Sequence, residues 1–305
     1  MSNVTVPADE SGQAWDIEAQ ASLSHTALAR LLRRPSFLVA AFIVVLMIVI
    51  AAVPQAFAGW FGHGDPRACD LVNSAIGPSS GHPFGFDKQG CDVYANVIYG
   101  TRDSISIGLL ASMFGLVMAV VLGSVSGYYL GVVDAIVSRL SDVFFGFPFL
   151  LGALVLLTAF RAHNVWTVSL AIALFTWPTL TRLMRASMLT AKEHDYVLAA
   201  RSLGASDWRL IRRHLLPNAI APVIVISALG VGAVIAAEAT LTFLGVGLQQ
   251  PAISWGLQLS DAQSDFQVYP HLLIFPALFL SLTVLAFIVL GDALEDVLDP
   301  RRNDD

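Results

Sequence analysis

Charge is what this chain has least of. Of its 305 residues, 13% are Asp, Glu, Lys or Arg, against the roughly one quarter usual in soluble domains. Lysine is scarcest, occurring only as Lys88 after Asp87 and Lys192 after Ala191. A P-loop ends in Gly-Lys-Ser/Thr, so neither lysine can complete one, and the chain is not expected to bind ATP. It also lacks a Gly-x-Ser-x-Gly hydrolase elbow and a His-Glu-x-x-His zinc helix. No apolar/polar alternation of the kind that builds membrane barrels is present. Cysteine is limited to Cys69 and Cys91, and with His63 and His82 nearby these are too few ligands for a convincing zinc site.

What fills the chain is apolar: 56% of residues are hydrophobic, gathered in charge-free blocks. Six blocks approach the roughly 20 residues needed to cross about 30 Å of hydrocarbon as a helix. They are Phe37–Ala58, Ile105–Val133, Val143–Phe160, Asn164–Leu180, Ala219–Leu248 and His271–Gly291. The expected fold class is therefore an all-α integral membrane protein with six transmembrane helices. The first span reads as an uncleaved anchor, because it is long and begins well into the chain. The polar first 24 residues read as disordered.

Thirteen of the basic residues fall on the side of the two termini and four on the other. Lys and Arg mark the cytoplasmic face, so both termini are expected there. This gives a cytoplasmic tail 1–36, an external loop 59–103, a five-span core 104–291 and a cytoplasmic tail 292–305. The two cysteines share the external loop, a disulfide-permissive place; a bridge and two free thiols are both open.

The cytoplasmic stretch 182–217 is long, basic and patterned. A helix carrying Ala199 and Ala200 should end at Gly204, where a left-handed cap is favoured. Ser206 and Asp207 are N-cap candidates for a second helix, which Pro217 would help to end. Such an elbow suits a close-fitting acidic partner protein or a basic surface held by anionic lipid, and the pattern alone does not separate them.

The stretch resembles the EAA loop of ABC-importer permeases. Ala199, Ala200, Gly204, Leu216 and Pro217 match its spacing, while Leu198 stands where Glu is usual and His214 where Ile is usual. More of the chain is similar to the C-type permease of dipeptide and oligopeptide importers. The matches include His82 to Val93 (with Cys91 where the family has Arg), Tyr99 to Ser104, Trp177-Pro178, Ala237 to Gly245 and Gly291 to Arg301.

The resemblance implies a type I ABC-importer architecture in the bacterial cytoplasmic membrane. It implies a homologous permease, cytoplasmic ATPase subunits carrying ATP and Mg, an external binding protein and surrounding lipid, with no nucleic acid and no cofactor in this chain. Leu198, Ala199, Ala200, Gly204, Ala205, Leu216 and Pro217 would form the ATPase dock. Cargo would be di- or oligopeptide, with nickel chelates, haem or glutathione as alternatives carried by related importers. An ion-coupled carrier is the alternative from another class.

Glu238 is the one charged residue within the six expected spans. A carboxylate in hydrocarbon is costly and usually serves a cavity or partner. Three readings stand: a group on the translocation path, a structural bond to the partner permease, or a proton-coupling site. Gly123, Gly127 and Gly131 are spaced for close helix packing. Trp255, in an external loop with Asp261 and Asp265, reads as an interfacial anchor.

Overall fold

The computed structural model describes residue 32 and residues 34–62, 64–160 and 162–298. The acidic N-terminal stretch, Arg30, Arg33, His63, Arg161, Arg301 and Arg302 lie outside these.

Five helices are long and apolar enough to span a membrane: α1 (Pro35–Ala52), α3 (Val93–Tyr129), α6 (Val165–Lys192), α10 (Ala221–Phe243) and α12 (His271–Leu298). The expected third span is instead two helices, α4 (Gly131–Gly146) and α5 (Phe149–Ala159), bent by 94°. Pro148 causes the break. It disfavours helix at the preceding residue, and Phe147 is extended at φ −99°, ψ 130°. Counted as one broken span, the pair makes six. The first block breaks for the same reason. Pro54 ends α1 at Val53 (φ −131°, ψ 59°) and starts the short α2 (Pro54–Ala58).

Helix ends outrun the apolar blocks. At 37 residues and 1.5 Å per residue, α3 is about 55 Å long, so residues 93–103 are helix, not external loop. Likewise α6 carries Arg182 and Arg185 within it, and α12 continues past Gly291 to Leu298. Arg34 Nη1 meets Asp296 Oδ2 at 2.7 Å, tying the start of α1 to the end of α12.

The central pair is α3 against α6. Gly123 and Gly127 make it close: a Cβ on Gly123 would lie 2.6 Å from Met184 Cβ, and one on Gly127 would lie 2.9 Å from the Arg185 carbonyl oxygen. Gly131 does not join this seam; it follows α3 at φ +57° with open space around it.

At one end of the bundle, residues 64–92 fold over the start of α3. Cys69 and Cys91 are disulfide-bonded. Asp92, almost fully buried, caps α3 by accepting from the N–H groups of Tyr94 (2.8 Å) and Ala95 (3.3 Å). Its second oxygen lies 2.7 Å from His82 Nδ1. Beside this loop, the segment between α10 and α12 forms α11 (Trp255–Ala262).

Candidate functional site

At the other end, the chain after α6 forms the elbow. α7 (Asp195–Ser202) is followed by α8 (Asp207–Arg209), a π-helical stretch (Leu210–Leu215) and α9 (Leu216–Ala219). α7 ends as its sequence suggests. Gly204 sits at φ +81°, where a residue with a Cβ is strained. The Ala205 N–H donates to the Ala200 carbonyl (3.1 Å) and the Gly204 N–H to that of Arg201 (3.0 Å), the paired bonds of a Schellman cap.

The second half departs from expectation. Ser206 stands at the N-cap, but its side chain makes no capping bond, and Asp207 accepts from the Tyr128 hydroxyl instead. Pro217 does not stop the helix. A proline ring crowds the carbonyl four residues back, and the wider π turn just upstream accommodates it.

The elbow's inner face is anchored. Val197, Leu210, Ile211 and Leu215 pack with Met184 and Met188 of α6, Tyr128 of α3 and Val223 of α10. Burying each such aliphatic side chain contributes roughly 1.5–3 kcal/mol. Tyr128 is the polar anchor. Besides donating to Asp207, its hydroxyl accepts from Arg201 Nη2 (3.3 Å), and its carbonyl accepts from Lys192 Nζ (2.7 Å). Behind it, Arg185 grips Asp134 of α4 through two nitrogens.

The outer face is unpartnered. Leu203 is 89% exposed, Trp208 69% and Leu198 52%. Arg209, Arg212 and Arg213 are exposed and pair with nothing among the described residues. Of the expected docking residues, Leu198, Ala199, Gly204 and Pro217 are exposed, and Ala200, Ala205 and Leu216 are half-buried. Leu203 and Trp208 belong to this face too. Sequence reasoning passed over them because a large apolar residue in a membrane protein is ordinarily assigned to the core or the lipid.

Glu238 lies near the opposite end, fully enclosed at 0% exposure. Its Oε1 accepts from Thr242 Oγ1 (2.9 Å), and Thr242 in turn accepts from the Leu248 N–H (3.1 Å). The Ser104 and Ser254 hydroxyls lie beside the carboxyl. Each already accepts a backbone N–H, from Trp255 and Leu257, both at 3.2 Å, so each keeps its own hydrogen to offer. Direct hydrogen-bond geometry to Oε2 is not reached. Glu238 therefore sits where α3, α10 and the segment leading into α11 of its own chain meet.

Trp255 is likewise internal. It is fully buried, its Nε1 donates to the Val97 carbonyl (3.0 Å), and it is no interfacial anchor.

Residues 119–304 match the family model described as binding-protein-dependent transport system inner membrane component. The glutathione transport system permease protein GsiD of Pectobacterium atrosepticum is 38% identical over 277 residues, covering 89% of each chain. The protein of that name from Escherichia coli is 37% identical over 278 residues, covering 91% of this chain and 90% of its own. Two solved transporters share the fold at a TM-score of 0.52, each across 67% of this chain. One is an amino acid ABC transporter solved with histidines (19% identical, 94% of that chain). The other is the MetNI methionine ABC transporter in an inward-facing form (16% identical, 97% of that chain). The chain belongs to the family of binding-protein-dependent transport system inner membrane components, as a multi-pass permease subunit of an ABC importer.

Proposed function

We propose that this subunit forms half of the translocation path of an importer of short peptides, with glutathione the first cargo to test. The elbow from Leu198 to Pro217 seats a cytoplasmic ATPase subunit, a homologous permease supplies the other half of the path, and an external binding protein delivers cargo to the disulfide end.

One observation carries the docking assignment: the elbow is held from inside by buried aliphatics and Tyr128, yet presents Leu198, Leu203 and Trp208 to the outside beside three unpaired arginines. Apolar anchors rimmed by one sign of charge suit a complementary protein groove. The cargo assignment is supported by likeness to permeases named for glutathione transport. The enclosure of Glu238 counts against an ion-coupled carrier, because a proton site needs a route to solvent.

The test is reconstitution of the chain with its genomic neighbours in proteoliposomes. Glutathione or short peptides together with the binding protein should stimulate ATP hydrolysis. Stimulation by a different solute alone would change the cargo and keep the assembly. Uptake by this chain without any ATPase would overturn the proposal.

A further inference from the structure

A groove of about 370 Å³ runs along the outside of the bundle at its elbow end, between residues 35–43 of α1 and 282–289 of α12. At 1.5 Å per residue it is about 12 Å long. Ala40 and Ala286, both buried, form its floor, and the larger Val39, Leu282 and Leu285, all exposed, form its rims. Apart from Ser36, near the mouth, every wall residue is apolar.

The mouth is charged, and with both signs. Arg34, the residue before the groove, is exposed and bonded through Nη1 to Asp296 Oδ2 at 2.7 Å. A guanidinium carries five N–H donors on three nitrogens, and that bond engages one nitrogen. Asp292 follows Val289 by three residues and Leu285 by seven, so it carries the α12 face that lines the groove up to the mouth. It is exposed and pairs with nothing among the described residues.

We propose that this groove holds one acyl chain of a phospholipid whose headgroup joins a primary ammonium to its phosphate, as phosphatidylethanolamine does. Arg34 serves the phosphate and Asp292 the ammonium. Both α1 and α12 are long and apolar enough to span the membrane, so the groove between them faces hydrocarbon. A helix, about 10 Å across, is too wide to lie in a gap of this volume, whereas a single extended chain is not. The mouth then selects the headgroup. A purely anionic one would meet Asp292 and Asp296 as like charges, and a quaternary ammonium has no N–H to give a carboxylate. A primary ammonium brings three donors and a positive charge. Such a lipid fills the seam by which α1 joins α12, below the Arg34–Asp296 pair, whatever the cargo of the importer.

The experiment strips lipid from the assembled complex, partner permease and ATPases included. It then titrates phosphatidylethanolamine, phosphatidylcholine and phosphatidylglycerol of identical acyl chains and counts adducts by native mass spectrometry. Phosphatidylethanolamine should fill one tight site per copy of this chain, about tenfold more tightly than either other lipid, the ratio expected for one charge-assisted hydrogen bond. D292N should bring it level with phosphatidylcholine. A286F, which sets a ring in the groove, should remove the tight site while ATP hydrolysis persists. A40L fills the same gap from the facing wall and leaves α12 unaltered. Equal binding of the three lipids, a preference untouched by D292N, or a tight site that outlasts both A286F and A40L would overturn the proposal. Loss of the partner permease from the filled variants, with lipid binding unchanged, would overturn it in favour of a partner helix against this face.

Discussion

At the disulfide end, polar groups are largely matched within the chain: Asp92 to the first turn of α3 and His82, Glu238 to Thr242, Trp255 to Val97, Cys69 to Cys91. At the elbow the matching stops halfway. The inner face is filled and bonded, while the outer face leaves Leu203, Trp208 and three arginines to water. One end is close to complete as a single chain. On the docking proposal the other is one side of an interface, with the residues that hold its fold separate from those that would meet the partner.

The largest expected effect tests that separation directly. Gly204→Trp should abolish co-purification with the ATPase while leaving membrane insertion and the disulfide end unchanged. A side chain there meets open space but must take φ +81°, so it strains the cap and stands in the docking face. Retained ATPase binding would mean that the elbow lies against lipid instead. The converse change is Cys69→Ser with Cys91→Ser. It opens a loop between cysteines 22 positions apart, worth about 3 kcal/mol in the chain-entropy account. Limited proteolysis should cut residues 59–92 faster, with the ATPase still bound.

How much of this contrast was legible beforehand follows from the range of the forces involved. The spans were legible because exclusion of charge from hydrocarbon acts residue by residue, and the Gly204 cap because its signal lies within a few positions. The breaks at Val53 and Phe147 were equally local, written in Pro54 and Pro148, yet the apolar blocks run straight across both prolines and hid them. Helix ends were placed short because Arg102, Arg182 and Arg185 read as loop, although a charged side chain on a helix past the membrane surface costs little. Trp255 was misread because an indole suits an interface as well as a core, and only Val97, distant in sequence, decides between them. The neighbours of Glu238 come from three separate segments, so no local pattern announces that site.

A smaller effect sharpens the contrast inside the disulfide end. Glu238→Ala should destabilise the subunit by about 1–3 kcal/mol, because the Thr242 hydroxyl loses a buried acceptor. Glu238→Gln keeps the shape and an oxygen for Thr242, so it should remain near wild type in thermal stability and in uptake. A Gln variant that folds normally but transports poorly would return Glu238 to the translocation path.

The smallest predicted change lies where the two ends meet. α3 begins just after its N-cap Asp92 and carries Tyr128 in its last turn, so one helix connects the disulfide loop with the elbow. Tyr128→Phe removes the hydroxyl that serves Asp207 and Arg201 but keeps the buried ring and the carbonyl that holds Lys192. The fold should lose only about 1 kcal/mol, the net worth of such a bond. The elbow would remain seated by Val197, Leu210 and Leu215, so the ATPase should still bind and hydrolyse ATP. If this hydroxyl keeps the elbow in step with α3, the ratio of solute transported to ATP hydrolysed should fall while basal hydrolysis holds. An unchanged ratio would assign the connection to apolar packing alone and leave Tyr128 as one more anchor of the inner face.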